Sequence, residues 1–161
     1  MRRASIVIAT VLGLALIGGL WRGHHPAHPA PVNASIYETD MTEGLVRGFL
    51  PECAACGQGV CFLAFGEGTT SPSRAFIARF AGSRPAVRSC GSAVSPLTGK
   101  YFETATGRPG LVIRIIRFKE IIPGTFDVLV GFSNLPPGHD RFTCRISNLA
   151  GEWVIKSRKP A

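Results

Sequence analysis

The stretch FDVLVGF, residues 126–132, has the pattern of a half-buried β-strand. Pro123-Gly124 stands just before it and predicts a turn, because proline fixes φ and glycine tolerates a positive φ. The residues before that turn, 111–122, therefore pair with the stretch as a hairpin. A period of two places four large apolar side chains on one face of this sheet, namely Phe126, Val128, Val130 and Phe132.

The register of this hairpin follows from its charges. A three-residue loop at 122–124 sets Lys119 opposite Asp127 and Ile116 opposite Val130. We prefer this register because it pairs opposite charges on one face and buries apolar side chains on the other.

Two further strands extend the hairpin into a four-strand antiparallel meander. The first lies at residues 140–147, and Trp153 and Ile155 in the second fall opposite Ile146 and Cys144. The middle inward positions are apolar along all four strands, so the meander has one apolar face, with Arg114 and Glu120 at its two ends. Such a face needs a cover, which the rest of the chain must supply.

A helix at residues 35–50 is the predicted cover. Ser35 is its expected N-cap, Glu38 completes a capping box, and Pro51 ends the helix. Ser71-Pro72 predicts the start of a second, shorter helix. One apolar stripe recurs at every fourth position of the first helix, through Tyr37, Met41, Leu45 and Phe49.

These elements predict an α+β fold. An N-terminal helix and a short second helix pack on a curved antiparallel sheet, and an N-terminal apolar membrane helix precedes them. The stretch Val60–Ala64 is apolar on both faces, which indicates a buried strand or one beside the sheet edge.

The N-terminus has the pattern of a membrane segment. Arg2 and Arg3 precede an apolar run at residues 4–21, and Trp21 and Arg22 resemble an interfacial anchor. We expect an uncleaved single-pass signal anchor in the cell inner membrane, with the domain facing the periplasm or the cell exterior. Secretion after signal cleavage is the alternative. The predicted divisions are a membrane anchor or signal sequence at 1–22, a linker rich in proline and histidine at 23–34, and a single α+β domain at 35–158.

The charge of the chain allows two interpretations, an ordinary basic surface and an affinity for anionic surfaces or polymers. There are 18 basic and 10 acidic residues, a formal net charge of +8. Arg114, Arg117 and Arg145 lie on predicted strands and are candidate ligand-facing residues, with ordinary solvated charge as the alternative. No basic motif interleaved with aromatic residues points to nucleic acid.

The five cysteines are the next candidates for chemistry. We expect Cys61 to bond Cys53 or Cys56, with Cys56 preferred, while Cys90 takes the remaining one or stays free. Cys144 points into the core and is expected to be a buried thiol. Two alternatives stay open, a redox pair at Cys53 and Cys56 and a zinc site built on the same cluster.

No catalytic motif is present, and no cofactor or catalytic residue is predicted. The leading interpretation is a non-catalytic envelope module that binds a protein or an anionic ligand. One alternative is a small extracytoplasmic enzyme that uses His139, next to Asp140, or the Cys53/Cys56 pair. Another is a structural protein cross-linked through the odd cysteine.

The order of these signals resembles a group of uncharacterised small bacterial envelope proteins. The resemblance implies a cystatin-like or nuclear-transport-factor-like α+β layout, in which a helix lies against a curved antiparallel sheet, and it carries over no catalytic residue. The matching pieces are the Tyr37 helix, Val60–Ala64, Ser71-Pro72-Ser73 leading to Phe80, Thr106–Gly110, the meander, and Gly151–Ile155.

Overall fold

The computed structural model describes residues 33–68, 70–95, 100–133 and 141–161. All of them belong to one compact unit, Pro31–Ala161. The helices are α1 (Asp40–Ala55) and α2 (Arg74–Ala78), with 3-10 turns at Ala34–Ile36 and Cys90–Ser92. The strands are β1 (Val60–Phe65), β2 (Ala86–Ser89), β3 (Ala93–Val94), β4 (Tyr101–Glu103), β5 (Pro109–Ile122), β6 (Thr125–Ser133), β7 (Arg141–Leu149) and β8 (Glu152–Pro160).

The sheet is mixed, and the predicted antiparallel sheet is therefore wrong. Its eight strands follow the order β2-β1-β5-β6-β7-β8, with β3 and β4 attached beside β5. β1 pairs in parallel with both β2 and β5. A parallel neighbour needs a long crossover connection, and the segment carrying α2 supplies one between β1 and β2. β1 is buried along its whole length, as is usual for parallel strands covered on both faces.

The predicted membrane helix at residues 4–21 lies outside the described residues. Within the described part of the chain, no helix has the length and apolar character that a bilayer crossing requires.

The four C-terminal strands pair as an antiparallel meander with three register shifts, two between β5 and β6 and one between β7 and β8. Lys119 lies opposite Asp127 as expected, but a bulge between Ile115 and Arg117 sets Ile115, not Ile116, opposite Val130.

The pairing of β7 with β8 also differs from the prediction. The tight turn at Ala150-Gly151 sets Ile155 opposite Ile146 and Trp153 opposite Asn148. Farther from the turn, the extra residue Lys156 shifts the register once more.

Helix α1 covers the meander, but its ends differ from the prediction. The N-cap is Thr39, whose hydroxyl accepts a hydrogen bond from the Thr42 amide at 3.2 Å. Ser35 lies in the preceding 3-10 turn, and the Glu38 carboxylate accepts hydrogen bonds from Ser73 at the start of α2. Pro51 stands inside α1, which continues for another turn to Ala55.

The main core lies between the helices and one face of the sheet. Gly44 brings α1 against β8, because a Cβ there would lie 2.6 Å from the Trp153 Cβ. Trp153 is partly buried and stacks edge-on against Phe126 with ring centroids 5.8 Å apart. The fully buried large side chains of this core include Leu45, Val46, Phe49, Leu63, Phe65, Phe76, Ile113, Ile115, Val128 and Ile146.

A smaller core lies on the opposite face, behind β1 and the start of β5. Phe62 and Val112 are its largest members, and Cys90, Ala93 and Tyr101 pack against it. The segment β2–β4 thus covers this face at one side of the sheet. At the other side, from β5 to β8, the same face carries mostly exposed polar residues.

Candidate anion-binding face

Cross-strand pairing places basic residues of several strands side by side on this exposed face. In one row, Arg117 pairs with Leu129, Leu129 with Thr143, and Thr143 with Lys159. Residues directly opposite each other in an antiparallel sheet project to the same side, so the row shares one face.

Rows on either side of this one add further cations. Lys119, Asp127, Arg145 and Ser157 form one neighbouring row. Arg114, Gly131 and Arg141 form the other. We define the basic face by its six cations: Arg114, Arg117, Lys119, Arg141, Arg145 and Lys159.

The two bulges bring these cations together. Alternation along an unbroken strand puts Arg114 and Arg117 on opposite faces, because they are three positions apart. The extra residue between Ile115 and Arg117 restores Arg117 to the side of Arg114. The shift in β8 likewise lets Lys159 join the basic face while Ile155 stays in the core.

Asp127 is the carboxylate that lies among the cations of the basic face. Arg145 donates two hydrogen bonds to it, Nε to Oδ1 at 2.8 Å and a terminal nitrogen to Oδ2 at 2.9 Å. These hydrogen bonds, with the charges of Arg145, Lys159 and Lys119, hold the pKa of Asp127 below its usual value despite desolvation. Asp127 therefore balances the charge of Arg145.

The other cations of the face differ in how far their charge is balanced. Arg141 pairs with Glu67 at 3.1 Å. Arg117 and Lys119 are exposed and have no ion pair within 4.0 Å among the described residues. Positive charge therefore remains available across the face.

Arg114 lies at the margin of the face, where the segment β2–β4 begins to cover the sheet. It lines a cavity of about 240 Å³ together with Tyr101, Val112 and Cys90. Its Nε is buried and has no hydrogen-bond partner among the described residues. An unsatisfied buried donor is costly, so this guanidinium is suited to donate a hydrogen bond to a ligand oxygen or to a water molecule.

A larger cleft of about 720 Å³ lies between α1 and β8, and its lining holds more carboxylates than cations. Its one lining cation, Arg47, donates to Glu43 at 2.9 Å. This cleft is therefore less suited to an anion than the basic face is.

The predicted cysteine and histidine sites have different outcomes. The cysteines are free thiols in the structure, so the predicted bond of Cys61 is formed neither with Cys56 nor with Cys53. Cys53 is fully buried in the core and Cys56 is exposed, so they do not form an accessible redox pair. His139 lies outside the described residues. Within the described ranges, no group of three histidine, cysteine or acidic residues is arranged to hold a metal ion.

The three predicted ligand-facing arginines all lie on the basic face, but sequence reasoning missed Lys119, Arg141 and Lys159. Simple alternation assigns Lys159 to the side of Trp153, and only the bulge in β8 separates them. No family model matches this chain, and no match was found among curated proteins or solved structures. The resemblance to small envelope proteins stays a prediction.

Proposed function

We propose that this chain is a non-catalytic binding module whose basic face takes an extended polyanion. The supporting observation is the meeting of six cations in three neighbouring rows of one sheet face. Neighbouring strands lie about 4.8 Å apart and successive rows about 7 Å apart. Cations at those spacings, on a face open to solvent, suit a ligand with repeated negative charges more than a small compact one.

Two observations favour binding over catalysis. Apart from the Asp127 carboxylate, the polar groups of the face are guanidinium, ammonium and hydroxyl groups, which donate hydrogen bonds to anions. Cys53, half of the proposed redox pair, is sealed inside the core and is not offered to a substrate.

Charge removal on the face tests this function. The full-length triple variant Arg117→Gln, Lys119→Gln, Lys159→Gln should bind heparin, used as a chemical polyanion, about 10-fold more weakly than the native protein at low salt. Three exposed ion pairs at about 0.5 kcal/mol each account for that loss. Binding should also weaken as salt rises, because salt screens exposed charges.

A matched control separates the basic face from net charge. Arg74→Gln, Arg84→Gln, Lys100→Gln removes the same number of exposed cations elsewhere in the chain. We expect the control to keep most of the affinity. Equal losses in the two triple variants would reject the basic face as the binding surface.

A further inference from the structure

Two cysteines from different elements meet beneath the helix end. Cys53 lies in the last turn of α1 and is 0% exposed, and Cys61 is the second residue of β1 and is 1% exposed. Both belong to the same core cluster. The Gln58 amide donates to the Cys53 carbonyl at 3.1 Å, which folds the connecting loop back under the helix.

The connection between the two elements keeps both cysteines in the same part of the core. Only four residues, 56–59, separate the end of α1 from the start of β1, and the loop folds back under the helix. The interaction between the two side chains is the first cause that lowers the pKa of Cys53 and raises that of Cys61, which burial raises further.

We propose that Cys53 and Cys61 are the site of an intramolecular disulfide that joins the end of α1 to the start of β1. The oxidant is a disulfide, either oxidised glutathione or a dithiol–disulfide oxidoreductase. One thiolate attacks the oxidant, forms a mixed disulfide and releases one thiol. The second thiolate displaces the remaining oxidant sulfur, so two protons and two electrons leave the chain and the oxidant ends as two thiols.

Cys56 is not the partner of Cys61 in this proposal. It caps α1 at the surface and is exposed, whereas Cys61 points into the core beside Cys53. A Cys56–Cys61 bond requires the last turn of α1 to unwind or the start of β1 to leave the sheet.

Burial determines when the bond forms and breaks. An oxidant cannot reach sulfur atoms that are almost fully covered, so oxidation takes place before folding is complete or when the end of α1 opens. For the same reason, the bond resists external thiols as long as the protein stays folded.

The test maps disulfides in the full-length protein after refolding with oxidised and reduced glutathione. Free thiols are alkylated in denaturant, and unreduced peptides are identified by mass spectrometry. We expect a Cys53–Cys61 peptide in the native protein and in the control variant Cys56→Ser. The closed loop should raise the folding equilibrium constant about 100-fold over the reduced protein. Dithiothreitol should reduce the bond much faster in urea than in buffer.

Two outcomes of the disulfide mapping would contradict the proposal. A Cys56–Cys61 peptide, or alkylation of both Cys53 and Cys61 after refolding, would overturn it. This outcome is independent of polyanion binding, since neither cysteine lies on the basic face.

Discussion

At the scale of a single residue, Glu103 is the only buried acidic residue that the structure describes. Its carboxylate accepts hydrogen bonds from the Thr106 hydroxyl and, at 3.1 Å, from Arg88. The Thr106 hydrogen bond, followed by the hydrogen bond and charge of Arg88, lowers the pKa of Glu103 in the folded state. The charged form therefore stabilises the fold.

Replacing this carboxylate should change how stability depends on pH. A lowered folded-state pKa gives stability that is present above the unfolded pKa, about 4.3, and is lost as pH falls through the folded pKa. We expect Glu103→Gln to lower the free energy of unfolding by about 1 kcal/mol at pH 7. The difference from the native protein should shrink towards acid pH in urea titrations.

An exposed carboxylate provides the control for this measurement. Glu152→Gln should change the free energy of unfolding by less than about 0.5 kcal/mol at pH 7. A Glu103→Gln difference that stays constant from pH 7 to pH 3 would show that the charge of Glu103 does not stabilise the fold.

At the scale of an element, the predicted N-cap of α1, Ser35, can be compared with the observed N-cap, Thr39. The Thr39 hydroxyl accepts a hydrogen bond from the Thr42 amide, whereas Ser35 hydrogen-bonds only to Asn33 in the 3-10 turn among the side chains described. Thr39→Ala should therefore lower the free energy of unfolding by about 1 kcal/mol, and Ser35→Ala should change it much less. Thermal unfolding of both variants compares them directly, and a larger loss in Ser35→Ala would contradict the assigned cap.

The same element shows how far sequence patterns reach. Met41, Leu45 and Phe49 of the predicted apolar stripe are buried on α1, because helical periodicity depends on many residues, whereas Tyr37 precedes the helix. Its ends were wrong because each depends on one local choice. Pro51 removes one amide donor, but the burial of Leu50 and Cys53 holds the final turn in place.

The pairing of β5 with β6 was predicted correctly near the turn and incorrectly farther from it. Lys119 and Asp127 were correctly paired because the turn at Pro123-Gly124 lies close to them. The pairing failed beyond Arg117, since one inserted residue reverses alternation and leaves no mark in an apolar run. Simple alternation places Arg114 and Lys159 on the other side of the sheet, and the bulges bring them to the side that Arg117, Lys119, Arg141 and Arg145 already share.

The parallel pairing of β1 was missed for a different reason. Its six-residue apolar run, followed by a short helix and a strand, is the pattern of a crossover unit. Which strands become its neighbours is decided by chain segments far away in sequence.

At the scale of the whole molecule, stability should be graded across the sheet. β1 is buried on both faces and paired on both edges, whereas β8 is an edge strand with mostly exposed residues. We expect β1 amides to exchange hydrogen with solvent most slowly and β8 amides on its free edge to exchange fastest. Hydrogen exchange followed by mass spectrometry measures this order, and equal protection of β1 and β8 would contradict it.

The position of β1 between β2 and β5 has a consequence for folding during synthesis on the ribosome. β1 is the first strand to be synthesised, yet Val60 pairs with Gly110, fifty positions later. At about 5–20 residues per second, the ribosome needs about 3–10 s to make that partner. During this interval a strand that is apolar on both sides has no long neighbour to cover it. Nascent chains that stop before residue 109 should therefore be held by chaperones, and longer chains should be released.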